Sequence, residues 1–147
     1  MLCADLDDTA ILSFNHIKFE VLGESTNFTV TNIRSMSKIL VIGAGGQLGT
    51  ELTKALAEKY GNENIIATDF QDAVKEKFTY CSFQTLNVMD KAALASIVES
   101  HGVTQIYHLA AILSAAGEKN PLQAWDLNMV GLLNVLEIAK SHTIEKV

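Results

Sequence analysis

Proline occurs once and cysteine twice in the 147 residues, and each scarcity closes off a class of protein. A single proline excludes a proline-rich linker or a collagen-like chain. Cys3 and Cys81 stand alone, with no Cys-x-x-Cys and no framework spacing. That excludes a disulfide scaffold and leads us to expect reduced thiols in a cytoplasmic chain. Basic residues are short as well: 11 Lys and Arg against 17 Asp and Glu leave a net charge of −6. Such a chain lacks the cationic surface that replaces counterions on nucleic acid or an anionic membrane, so neither partner is expected. No apolar run reaches the ~18 residues of a membrane span. Asp5, Asp7 and Asp8 stand where a secretory signal would be basic and then apolar. What the sequence does have is apolar bulk. Hydrophobic residues make up 48%, enough for the core that a disordered segment cannot form.

The pattern changes near residue 36. Residues 1–35 mix Ser, Thr, Asn and single apolar residues without a sustained period, with short strands indicated at Phe28, Val30 and residues 19–21. From Met36 regular segments follow. Residues 38–42 are an apolar run closed by Gly43, as expected of a parallel strand buried on both faces. Residues 46–59 place Leu48, Leu52, Ala55 and Leu56 at helical spacing. A second strand covers 64–68 and stops at Asp69, and a third falls within 79–86. Asp90 can cap a helix whose Leu94, Ile97 and Val98 share a face, with Gly102 ending it. A fourth strand covers 105–111. A long amphipathic helix then runs from Pro121 to about His142, with Leu122, Trp125, Leu132, Leu133, Leu136 and Ala139 as the expected buried side. Strands alternating with helices in this order predict an α/β fold with a parallel sheet.

Between the first strand and first helix lies Gly43-Ala44-Gly45-Gly46-Gln47-Leu48-Gly49. Read through Gly43, Gly46 and Gly49 it is GxxGxxG; GxGxxG fits loosely, with Leu48 where its third glycine would fall. Gly43 allows a tight exit from the strand, Gly46 lets backbone approach a pyrophosphate, and Gly49 lets the helix pack on the sheet. The free amides and dipole at that helix start suit a phosphate. Asp69, twenty residues beyond Gly49, can accept both hydroxyls of an adenosine ribose and would repel a 2′-phosphate, which selects NAD over NADP. The plainer alternative is that Asp69 only turns the strand end.

These glycines, the His108-Leu109-Ala110-Ala111 stretch, and Asn128 and Gly131 within residues 128–137 resemble the extended short-chain dehydrogenase/reductase family of NAD-dependent epimerases and dehydratases. Within it, residues 46–52, 109–115, 118–121 and 124–129 are most similar to the short-chain type of L-threonine 3-dehydrogenase. The resemblance covers residues 36–147. It implies a Rossmann-type doubly wound parallel sheet, truncated after the fourth strand and its helix, with residues 1–35 an irregular extension outside the NAD-binding domain. It places Gly43, Gly46, Gln47 and Leu48 around the pyrophosphate, and Asn87 and Val88 at the adenine. Leu109, Ala110 and Ala111 would pass beneath the cofactor, Ser114 would lie near nicotinamide and substrate, and Asn128 would shape the active site. It also implies a small-molecule substrate, L-threonine in the favoured branch, and a homodimer when complete. His108 reads more simply as a packed residue than as a catalyst, and no metal site is indicated.

The family's catalytic Tyr-x-x-x-Lys is missing. Tyr60, Tyr80 and Tyr107 are followed four residues on by Asn64, Gln84 and Ala111. The resemblance therefore implies a cofactor-binding fragment, inactive alone, with residues 105–109 left as an unprotected sheet edge. A nucleotide-sugar epimerase or dehydratase and a non-catalytic dinucleotide-binding module stay open as alternatives. Asp5-Leu6-Asp7-Asp8-Thr9 matches the DxDxT of haloacid-dehalogenase-type phosphatases, but only four residues precede Asp5 where that motif needs a buried strand. It is read as a chance match. Met36 resembles a natural start, and whether residues 1–35 are an extension or a gene-model artefact stays open.

Overall fold

The computed structural model describes residues 10–14, 17–21, 29–32 and 37–147, with side-chain surroundings from residue 37 onward except at Ser114 and Ala116. The chain divides into two compact units, Met1–Met36 and Ser37–Val147. In the first, β1 (Ala10–Phe14), β2 (Ile17–Val21) and β3 (Thr29–Asn32) form an antiparallel sheet in that order. Ala10 pairs with Val21, and Ile17 with Asn32. The short strands indicated at residues 19–21 and Val30 fall within β2 and β3, and β1 was not expected where an irregular segment was read. The apolar–polar alternation of Ile17-Lys18-Phe19-Glu20-Val21 lasts one short strand, too few residues to stand out as a period. Phe28 and the Asp5–Thr9 motif lie outside the described residues.

In the second unit, β4 (Ile39–Ile42) is apolar and buried throughout. It pairs in parallel with β5 (Ile65–Asp69) on one side and β7 (Gln105–His108) on the other, and β6 (Ser82–Thr85) pairs with β5. The order β6-β5-β4-β7 means that the chain builds outward from β4 and then crosses back to its other side. The connections are α1 (Gln47–Tyr60), α2 (Lys91–His101), a short α3 (Ser114–Lys119) and α4 (Pro121–Ser141), with 3₁₀ turns at Asn62–Asn64 and Asp72–Phe78. Alternate β4 residues feed two cores, because successive side chains leave a strand on opposite faces. Leu40 and Ile42 join Leu94, Val98, Val135 and Ile138 beneath α2 and α4. Ile39 and Val41 join Leu56, Ala57 and Phe78 beneath α1. The sheet is therefore wound on both faces.

The helix ends follow local chemistry. Asp90 Oδ1 accepts from Ala93 N at 3.0 Å to cap α2, and Gly102 closes it in the left-handed conformation at φ 61°. Asn120 caps α4, with Pro121 at the first turn.

Two helix faces differ from the sequence expectation. On α1 the buried residues are Gly49, Thr53, Leu56 and Ala57, while Leu48 is 76% exposed. On α4 they are Gly131, Val135 and Ile138, and Leu122, Trp125, Leu132, Leu133 and Leu136 point outward. Both sides of α4 are apolar, and the sheet takes the side with the small residue. A Cβ on Gly131 would lie 2.9 Å from Val88 Cγ1, so a bulky residue there would hold the helix off. The edge of β7 is also not bare along its whole length. Beyond α4 the chain returns beside it: Glu145 N donates to Thr104 O at 2.7 Å and Ile106 N donates to Lys146 O at 2.9 Å. Backbone groups at the start of β7 are thereby satisfied. Among the described residues no helix is long and apolar enough to cross a membrane.

Candidate functional site

At the carboxyl ends of β4–β7 lies a cavity of about 520 Å³. It sits where the strand order reverses between β4 and β7, the position at which open α/β sheets offer a crevice for ligands. Its floor is the glycine loop after β4. Gly43 turns the chain at φ 84°, and a Cβ there would lie 2.6 Å from Ala110 N. A Cβ on Gly49 would lie 2.3 Å from Gly43 O, so the absence of a side chain is what lets α1 begin so close to the loop. A Cβ on Gly45 would meet Asp69 Oδ2 at 2.8 Å. Gly46 is different. Its nearest contact would be Gly43 O at 3.6 Å, and its φ of −68° and ψ of 170° suit any residue. Three of these glycines are required by the protein's own packing, whereas the open side of Gly46 is a cradle that a side chain would fill. Gly46 is also the N-cap of α1 and brings no side-chain acceptor to the first amides, and the first turn holds no acidic residue. Those amides and the helix dipole remain available to an anionic group.

Asp69 ends β5 and is 7% exposed. Its Oδ2 accepts from Gly45 N at 2.9 Å and its Oδ1 from Gln71 N at 3.0 Å. Gly43 N and Ala44 N both donate to Thr68 O at 2.9 Å. The carboxylate thus does turn the strand end, as the plainer reading had it, and also ties the glycine loop to β5. A carboxylate offers about four lone-pair sites, so each oxygen keeps capacity for a further donor.

The next wall is the segment after β6. Leu86 N donates to Asp69 O at 2.8 Å. Asn87 Oδ1 accepts from Met89 N at 3.1 Å, so the amide oxygen expected to face a base already serves its own turn. Val88 is buried against Gly131. The far wall, Leu109, Ala110, Ala111 and Ile112, follows β7, with Leu109 N donating to Ile42 O at 2.8 Å.

Of the residues singled out from sequence, Gly43, Gly46, Asp69, Asn87, Val88, Leu109, Ala110 and Ala111 line this one cavity. Gln47 and Leu48 stand at the start of α1 outside its lining. Asn128 is not in the lining either. It reaches back from α4, its Oδ1 accepting from Ile112 N at 2.9 Å and its Nδ2 donating to Ile112 O at 3.0 Å, and so pins the far wall from behind. Ser114 opens α3, its side chain outside the described surroundings.

Sequence reasoning missed Phe70, Gln71, Val74, Gln123 and Leu127, which also line the cavity. Phe70, 69% exposed beside Asp69, was the most legible of these, since a large apolar residue at the mouth of a strand end needs a reason to be there. It also missed Asn134. Its Nδ2 donates to Val88 O at 3.0 Å and Met89 O at 3.3 Å. Two asparagines of α4, six positions apart, therefore hold the loops after β6 and β7. His108 has its pKa pushed down by burial, and its Nδ1 is buried without a hydrogen-bond partner among the described residues. It ends β7, with its Nε2 facing Gly131 of α4.

The model of the NAD dependent epimerase/dehydratase family matches residues 39–147. A partial-consensus L-threonine 3-dehydrogenase is 54% identical with a TM-score of 0.70, over 74% of this chain and 34% of that one. The GalE-like L-threonine dehydrogenase of Cupriavidus necator, in its holo form, is 50% identical with a TM-score of 0.70 over the same shares. A protein of Staphylococcus saprophyticus described as an uncharacterized epimerase/dehydratase is 45% identical over 111 residues, 75% of this chain and 35% of that protein. The chain thus spans about a third of the length of these relatives.

Proposed function

The chain belongs to the NAD dependent epimerase/dehydratase family, and from that premise we propose that residues 36–147 are the NAD-binding domain of an oxidoreductase. Residues 1–35 lie outside that domain, and the longer protein is cytoplasmic and oxidises L-threonine at C3. The observation that carries the binding assignment is Gly46. Its neighbours in the loop are closed by protein atoms, whereas its own open side lines the cavity that Asp69 closes. Gly46 and the first amides of α1 would hold the pyrophosphate, and the free lone pairs of Asp69 would accept from the adenosine ribose hydroxyls. Val74, Phe70 and Val88 give the cavity the apolar surface that suits a purine. Leu109 and the small Ala110 and Ala111 let the cofactor lie close to the far wall. Asn128 keeps that wall in place.

NAD supplies the acceptor for a hydride. For L-threonine the overall change is loss of hydride and proton at the C3 carbinol, leaving 2-amino-3-ketobutyrate. The likeness to L-threonine dehydrogenases supports that substrate over a nucleotide sugar. No Tyr-x-x-x-Lys occurs in the 147 residues, so their part in this reading is to bind and orient the cofactor, not to handle the hydroxyl proton. The outward apolar side of α4 supports a homodimer of the longer protein.

Calorimetric titration of the 147-residue chain with NAD and with NADP tests the binding assignment. One saturable site with NAD the tighter ligand is expected. Equal preference would overturn the role of Asp69, and binding of neither would overturn the assignment itself. Assay of NADH formation by the longer protein, with L-threonine against UDP-sugars, tests the substrate.

A further inference from the structure

Among its described lining residues the cavity holds one carboxylate, Asp69, and no cation. A nicotinamide dinucleotide brings two phosphate charges, and a 2′-phosphate would bring about −1.5 to −2 more. A cation reaches the glycine loop from the 3₁₀ turn between β5 and β6, at Lys77. Its Nζ donates to Gly45 O at 3.2 Å, while Gly45 N donates to Asp69 Oδ2 at 2.9 Å. A carboxylate and an ammonium therefore bracket a single glycine of the loop. The arrangement is held from the side as well, since a Cβ on Gly45 would meet Val74 at 2.9 Å. The ion pairs among the described residues do not include Lys77. Its ammonium is exposed and held by one long carbonyl bond, so an anion at the loop competes with that bond alone.

Resting on the NAD-binding reading, we propose that Lys77 is a second cofactor-selecting residue, acting against Asp69. Asp69 repels a phosphate on the adenosine ribose, and Lys77 attracts one. Discrimination between the phosphorylated and plain dinucleotide is the difference between the two. Removing the carboxylate then exposes a latent site for the phosphorylated form, with Lys77 as its cation.

The test titrates NAD and NADP into four proteins: the starting chain, Lys77→Met, Asp69→Ala and the double variant. Lys77→Met should weaken NADP about fivefold, the upper range of an exposed ion pair, and leave NAD nearly unchanged. Asp69→Ala should narrow the gap between the cofactors, and adding Lys77→Met should reopen it. Lys77→Arg should keep the selection. The Lys77-dependent part should fade as salt is raised. Equal losses for both cofactors, or none, in Lys77→Met would overturn the proposal while leaving NAD binding standing. Adenosine 2′,5′-bisphosphate against adenosine 5′-monophosphate repeats the comparison without nicotinamide. If the starting chain takes none of the four ligands, this proposal and the underlying reading fall together.

Discussion

Valine at Gly46 should weaken cofactor binding roughly 100-fold while leaving the fold intact, and no other loop glycine should behave this way. The backbone at Gly46, φ −68° and ψ 170°, is extended, so a β-branched residue meets no strain. Its Cβ would have Gly43 O at 3.6 Å as nearest neighbour, ordinary van der Waals contact. The stability cost is the exchange of glycine for a poor N-cap residue, about 1 kcal/mol, or a melting shift of roughly 4 °C for a domain of this size. The two methyls, however, occupy the place given to the pyrophosphate. Forced overpacking of about 3 kcal/mol is roughly 100-fold in affinity. Gly49→Ala is the control, because its Cβ would lie 2.3 Å from Gly43 O and 2.7 Å from Ala44 Cα, both backbone. There about 3 kcal/mol should appear as lost stability instead. Thermal melting by circular dichroism, with NAD titration of each folded variant, separates the two. A Gly46→Val protein that keeps its NAD affinity, or loses it only in step with a collapse in melting temperature, would refute the reasoning.

Asp69→Ala should cost stability as well as NAD affinity, since the buried carboxylate accepts from Gly45 N and Gln71 N. About 2–4 kcal/mol is expected in chemical denaturation, and an unchanged midpoint would contradict the tie between β5 and the loop. Asn134→Ala should raise amide exchange at residues 86–89 and weaken NAD severalfold, because it frees Val88 O and Met89 O; exchange confined to α4 would argue against the clamp. Ile138→Ala should cost about 2–4 kcal/mol and Leu136→Ala close to nothing in the same assay, the reverse of the order read from the amphipathic pattern. His142 has its pKa raised above the ordinary 6.5, first by its bond to Glu99 and then by the Ile138 carbonyl. A raised folded value adds stability that is full below the unfolded pKa and is lost as pH climbs through the folded one. His108, pushed down by burial, acts in the opposite sense and loses stability as pH falls below the ordinary value. The difference in melting temperature between the chain and His142→Gln should therefore shrink from pH 6 toward pH 8, and a constant difference would remove the His142–Glu99 bond from the account.

Much of the second unit was legible before any coordinates. The runs at Ile39–Ile42 and Ile65–Asp69, the capping Asp90 and the terminating Gly102 are local signals, and local chemistry decides them. The glycine spacing, with Asp69 following, located the floor of the cavity for the same reason: turns and close approaches need particular residue types at particular offsets. Other features required distant parts of the chain to meet. The face of α4 that packs was settled by Val88 pressing on Gly131, a contact across more than forty residues; an amphipathic count sees two apolar sides and has no means of ranking them. Asn87 was placed at the adenine until its oxygen was found in its own turn, and Asn134, which no local signal singled out, was found holding that turn in place. Lys77 carries no motif at all. Only the folding of the 3₁₀ turn back over the loop brings its ammonium to Gly45, because a sheet places the ends of separate strands side by side however far apart they lie in the chain.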